Sequence, residues 1–245
     1  SANEKWYYFL IPGSVLVFSV KENRVVDAIP VGKGAEKIAH APENNLLIVT
    51  DGKEKTFQVI QIDVIHDFDL KNSPYVGAAD APVTLLIFNH YQCPYCARLD
   101  PKVAELTNLF GENIKVVYKS FPPYGDAALK ASAAAVAAHR QGKFWKMHNA
   151  MHEIENPIDL EKIMAAAESV GLDIEKFKTD IEDPKTMALV DRDIKEGLAA
   201  DVDAVPYFFI NGKHLKNEDL NLIYQKIDEE IAKSSKQASG ENKRK

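Results

Sequence analysis

Phe88-Asn89-His90-Tyr91-Gln92-Cys93-Pro94-Tyr95-Cys96-Ala97-Arg98 contains both cysteines of the chain, two residues apart. The run before it, Val83 to Phe88, is β-branched and aromatic, as a buried strand should be. After it, Leu99, Val103, Leu106, Leu109 and Phe110 recur at helical spacing up to Gly111. The Cys-X-X-Cys pair is therefore expected where a strand turns into a helix. A thiol at a helix start lies near unpaired N–H groups and the positive end of the helix dipole, which favour its anion. The second thiol, one turn on, is within reach of the first for a disulfide. Pro94 suits an early helical position, where its missing N–H has no intrahelical partner to lose. A redox pair is the favoured reading. Half of a zinc site and a pair of inert thiols are its alternatives. A closed zinc site takes four ligands and there is no second cysteine pair. The histidines are His40, His66, His90, His139, His148, His152 and His214. His148 and His152 can share a helix face, but nothing in the sequence ties them to the cysteines.

At 245 residues the chain suits two domains, or one with a large insertion. Its 46% hydrophobic and 27% charged residues are those of a water-soluble globular protein. A formal charge of −6 gives no reason to expect nucleic acid or an anionic membrane as partner. The most apolar stretch, Trp6 to Val20, is cut by Pro12-Gly13, and neither half can span a bilayer. No membrane insertion is expected, and no secretory signal is visible in the residues given.

Residues 1–66 read as an antiparallel β-sheet domain. Trp6–Ile11, Ser14–Val20, Arg24–Ile29, Ala35–Ala41, Asn45–Thr50 and Thr56–Ile65 are apolar, often alternating runs parted by turn-forming residues. A small sheet has an apolar face and open edges to hide, so it packs on its own chain or on a twin; dimerisation is favoured. Residues 67–82 read as a linker. A second domain over 83–233 follows, with Ile114–Phe121 as a strand parallel to the first and a helical insertion over about 124–200. Ala204 to Leu215 reads as a β-hairpin with an Asn211-Gly212 turn and Pro206 at the head of a strand. A helix over Asp219 to Ile231 closes the domain, and 234–245 is expected to be a disordered polar tail.

The order strand, Cys93-Pro94-Tyr95-Cys96, helix, strand, helical block, Val205-Pro206, hairpin, helix resembles the DsbA-like branch of the thioredoxin superfamily. The likeness covers roughly residues 75–232. Val15 to Phe18, Arg24 to Gly32 and Leu46 to Asp51 resemble a single YVTN-type β-propeller blade. The fold class implied is α/β: a thioredoxin fold with a helical insertion, preceded by a small antiparallel sheet domain. The DsbA-like resemblance implies that the Val205–Pro206 bond is cis and that its loop faces the cysteines and binds an extended substrate peptide. It also implies that Cys93 attacks, that Cys96 resolves, and that Pro94 and Tyr95 tune the pair. The family often carries a buried glutamate six residues before the first cysteine; here Ile87 stands there, with polar Asn89 and His90 nearby. His90 is a possible modulator of the thiolate.

These features predict a thiol–disulfide oxidoreductase acting on proteins in the periplasm or after secretion. No cofactor is needed beyond the Cys93–Cys96 disulfide. Its expected partners are substrate proteins, an upstream redox protein and a second copy of itself. A dimerising β domain joined to a thioredoxin-like domain resembles the DsbC-type isomerases, which favours isomerase or reductase over DsbA-like oxidase. The rival of another class is a metal-handling or partner-binding protein with Cys93 and Cys96 as ligands.

Overall fold

A computed structural model describes residues 5–20, 23–41, 45–62, 64–122, 125–215 and 220–241. The chain divides into two compact units, Ser1–Val64 and Ile65–Lys245.

In the first unit, β1 (Trp6–Ile11), β2 (Ser14–Ser19) and β3 (Arg24–Pro30) form one antiparallel sheet. A second contains β4 (Lys37–Ala41), β5 (Leu46–Asp51) and β6 (Thr56–Gln61). Alternation does the sorting: on β2, Val15, Val17 and Ser19 are buried while their neighbours are not. Val15, Leu47 and Val49 form the core of the unit, joined by Tyr8, Leu10, Ile29, Ile38 and Ile60. The β1–β2 turn needs Gly13, whose φ of 80° is costly for any residue with a Cβ. The likeness to one propeller blade does not survive here. A blade is a single four-stranded sheet, whereas this chain leaves β3 at Pro30, which has no N–H to donate, and crosses to a separate sheet.

The second unit is a mixed α/β thioredoxin-like fold. Its five-stranded sheet has the order β11-β10-β8-β9-β7. These strands are β7 (Tyr75–Gly77), β8 (Val83–Asn89), β9 (Ile114–Ser120), β10 (Tyr207–Ile210) and β11 (Lys213–Leu215). Only β8 and β9 run parallel, as the crossover through α1 (Pro94–Phe110) requires. The insertion is α2 (Asp126–Arg140), α3 (Phe144–His152), α4 (Leu160–Ser169), α5 (Ile174–Glu182) and α6 (Pro184–Ala199). Asp159, Asp173 and Asp183 cap α4, α5 and α6 through their carboxylates, each cap being worth roughly 1 kcal/mol. Helix α2 is alanine-rich because it is nearly buried, with Ala131, Ala133, Ala134, Ala137 and Ala138 all sealed from solvent.

The two sheet faces carry different cores. Val83, Leu85, Ile87, Val116 and Tyr118 pack with α1 and the helical block. Leu86, Phe88 and Phe209 pack on the other face with Ala200 and Val202. Gly197 lets α6 lie against that second core, since a Cβ there would sit 2.6 Å from the Phe121 ring.

Two boundary expectations are corrected. Residues 67–82, read as a linker, lie within the second unit. Phe68 is wedged between Phe209 and Phe88, with ring centroids 4.8 and 5.8 Å away, and Tyr75–Gly77 is an edge strand paired with β9. The stretch looks polar because of Asp69, Lys71 and Ser73, but Arg192 of α6 binds all three. The tail is corrected as well, since α7 (Leu220–Glu241) continues well past residue 234. Its apolar stripe ends near Ile231, which is where periodicity stops reporting a helix. Beyond it the hydroxyls of Ser234 and Ser235 bond back to the carbonyls of Glu230 and Ile231 at 3.0 Å each. Lys243-Arg244-Lys245 lies outside the described residues.

Candidate active site

Cys93 is the N-cap residue of α1, with extended backbone (φ −96°, ψ 113°) and Pro94 in the first turn. Its carbonyl accepts the Ala97 N–H at 3.2 Å, the first helical bond. An N-cap side chain sits beside the orphan amides of the first turn, which is where an anion is best accommodated. Both cysteines are free thiols; Cys93 is 8% exposed and Cys96 1%. The first cysteine is therefore the more accessible of the two, and the second lies deeper.

The Val205–Pro206 peptide is cis. Its loop is brought to the cysteines by the antiparallel pairing of β10 with β8, in which Tyr207 faces Phe88. The Cys93 thiol donates to the Val205 carbonyl oxygen across 3.4 Å. Residues 112 positions apart thus meet at the sulfur. Tyr207, next in the loop, stacks on His214 with centroids 4.2 Å apart. Burial and the carboxylates of Asp203 and Asp201 push its hydroxyl pKa up to about 12, so it stays protonated. Tyr95 is 62% exposed beside the motif, and the Arg98 guanidinium carbon lies 4.5 Å from its ring centroid.

Ile87 is fully buried in the core that packs on α1. The site where the family often keeps a carboxylate is therefore dry hydrocarbon. The buried charges lie on the opposite face. Lys119 is one residue beyond the register partner of Ile87, so its side chain points the other way. There it reaches Asp193 Oδ1 at 2.9 Å, Glu196 Oε2 at 2.6 Å and the Asp69 carbonyl at 2.9 Å.

His90 is half-buried, and its Nδ1 accepts the Gln92 N–H at 3.1 Å. Burial holds its pKa below the usual 6.5. The neutral ring is the one that fits the fold, since protonation would turn Nδ1 into a donor facing a donor. A histidine with a lowered folded-state pKa contributes stability above its unfolded pKa and loses it as pH falls through the folded value. Acidification below about 6.5 is expected to loosen the turn leading into Cys93. In an NMR titration of the folded chain, His90 should titrate below 6.5; a midpoint at or above that value would contradict the burial argument.

Sequence reading missed the role of Tyr91 and the position of His148. His148 is completely buried, and its Nδ1 lies 3.0 Å from the Tyr91 hydroxyl, two residues before Cys93. Both α3 histidines are thus tied to the motif after all, His152 through its ring, whose centroid lies 4.9 Å from that of Tyr91. The signal was a tyrosine inside an otherwise polar turn, which only the packing of α3 makes meaningful. Among the described residues no group of three or more His, Cys, Asp or Glu side chains is placed to hold a metal ion.

A thioredoxin family model matches residues 69–229. The Na(+)/H(+) antiporter NhaA of Herminiimonas arsenicoxydans is 31% identical over 142 residues, 57% of this chain. The chain spans only about a fifth of that relative's length (22%). A thioredoxin-like oxidoreductase from Silicibacter pomeroyi superposes with a TM-score of 0.59 at 26% identity, over 64% of this chain and 91% of that one. The thiol-disulfide exchange protein alpha-DsbA2 from Wolbachia pipientis gives 0.60 at 25% identity, over 66% and 88%. No helix among the described residues is long and apolar enough to cross a membrane. With the family match covering the strand, the thiol pair and the proline loop alike, the chain belongs to the thioredoxin family and has a DsbA-like fold.

Proposed function

We propose that the chain is a dimeric protein disulfide isomerase or reductase of the periplasm or of secreted fluids. The observation that carries the reading is the position of the Cys93 sulfur, at the mouth of α1 and 3.4 Å from the Val205 carbonyl. A peptide laid along the Val205–Pro206 loop would place its own sulfur in line with Cys93. The Cys93 thiolate attacks a substrate disulfide, forming a mixed disulfide and releasing one substrate thiolate, which takes up a proton. The Cys96 thiolate then attacks the Cys93 sulfur. The Cys93–Cys96 disulfide forms and the second substrate thiolate leaves, so the substrate gains two electrons and the enzyme loses them. If another substrate thiolate attacks first, the enzyme is regenerated and the substrate disulfide is isomerised. Pro94 and Tyr95 tune the exchange from within the motif, and Ser1–Val64 joins two copies.

Run backwards, the same steps oxidise a substrate, and poise decides between the directions. A Cys93/Cys96 potential of roughly −200 mV or below favours reduction and isomerisation, whereas one near −120 mV favours oxidation. The test is that potential, measured in glutathione buffers beside refolding of scrambled ribonuclease. A potential near −120 mV with no scrambled-ribonuclease activity would sink the isomerase reading. Tight stoichiometric binding of Cu(I) or Zn(II) with no disulfide exchange would replace it with metal handling. Removing residues 1–64, which leaves Phe68, Asp69 and Leu70 in their packed positions, should yield a monomer. It should keep insulin reductase activity per active site and lose isomerase activity.

A further inference from the structure

We propose that the outer face of the β1-β2-β3 sheet is the surface on which a second copy of this chain docks, face to face about a twofold axis. The proposal rests on the dimer reading above and names the residues that make it. Register defines the face: Tyr7, Phe18 and Val25 lie in one row across the sheet, and Phe9, Leu16 and Ala28 in the next. Ile11 begins a third row. No charged side chain occupies any of these positions. The inner face is spent on the core around Val15, Leu47 and Val49, so this sheet is apolar on both sides. Tyr7 is 50% exposed, Phe9 51%, Ile11 41% and Val25 45%. An antiparallel sheet with one face in water should instead alternate apolar with polar residues.

Three observations choose a second copy over other occupants. The unit itself shows how such a face is covered, by a second sheet of the same make packed against it. The face is also rigid and pre-ordered: Phe9 stands edge-on to Phe18 with centroids 6.3 Å apart, and Tyr7 lies 6.5 Å from Phe9. No methionine occurs before Met147, whereas surfaces that take many partners rely on such adaptable side chains. The area is adequate too. Aromatic side chains of ~200 Å² that are half exposed offer about 100 Å² each. With the aliphatic positions the face presents roughly 500 Å² per protomer, or about 1,000 Å² for the pair, the lower bound for a specific interface. The outer face of the second sheet is poorer, since its rows are broken by Lys37 and Gln61.

The test is sedimentation velocity of the full chain at tens of micromolar. The wild type and Phe57→Asp, a charge on the second sheet, should run as dimers. Phe9→Asp should run as a monomer with insulin reduction per active site unchanged and its dimer affinity lowered at least ~100-fold, as for a charge placed in an apolar interface. A covalent readout stands beside it in case Phe9→Asp does not fold. With Cys93 and Cys96 changed to serine, Leu16→Cys near the axis should oxidise to a linked dimer and Val59→Cys should not. A wild type that sediments as a monomer ends the dimer reading and this one with it. A dimer that survives Phe9→Asp and is not captured by Leu16→Cys leaves the dimer reading standing and removes this face from it. A monomer whose Phe9 is needed to bind phosphatidylglycerol vesicles, or reduced carboxymethylated lactalbumin, would give the face to a membrane or to unfolded substrate instead.

Discussion

Cys93→Ala is expected to abolish insulin reduction, with a loss of ~10³-fold or more, the scale on which removing a covalent nucleophile acts. Cys96→Ala is expected to behave differently. It leaves the Cys93 sulfur at the mouth of α1 but removes the thiolate proposed to resolve the mixed disulfide, so substrate should stay attached through Cys93. The adduct should survive non-reducing electrophoresis and vanish with dithiothreitol. The order of burial, 8% for Cys93 and 1% for Cys96, is what assigns these roles. If Cys96→Ala captured nothing while Cys93→Ala did, the assignment would have to be reversed.

Lys119→Met should be the most destabilising single change away from the thiols. The Lys119 side chain is wholly buried between Asp193, itself 6% exposed, and Glu196. Taking out the cation leaves two carboxylates in the interior and frees the Asp69 carbonyl. Breaking a buried pair by removing one partner costs ~3–5 kcal/mol. The low end applies here, because Arg192 still reaches Asp193 Oδ1 at 2.9 Å. For a unit of this size ~3 kcal/mol corresponds to a melting point lower by roughly 6–12 °C. Thermal denaturation with exchange activity measured at 25 °C separates the effects, since Lys119 lies on the sheet face away from α1. A drop below about 1 kcal/mol would mean that water already reaches the cluster.

Most of the secondary structure was readable because each element carries its own period. The alternation in β1, β2 and β5 sets strands on the expected residues. The i, i+4, i+7 pattern of Leu99, Val103 and Leu106 predicts α1, and Asn211-Gly212 predicts the β10–β11 turn. The two thiols, the proline between them and the helix start are neighbours in the chain, so the centre of the candidate site was legible too. What failed to show were residues whose meaning depends on a distant partner. Phe68 sits in a polar stretch and is core only because Phe88 and Phe209 close on it. Lys119 looks like a surface residue on a strand, yet it is sealed by a helix more than seventy positions away.

The sequence by itself determined a strand, a Cys93-Pro94-Tyr95-Cys96 helix start and a proline-led hairpin, because hydrophobic period, turn chemistry and helix capping act over a few residues. The tertiary structure alone set the Val205 carbonyl 3.4 Å from the Cys93 sulfur and put the buried Lys119 charge on the sheet face away from Ile87. It also decided that the first unit is two sheets with an apolar face left over. Those outcomes turn on which surfaces exclude water against which others, a property of the packed chain and not of any segment within it.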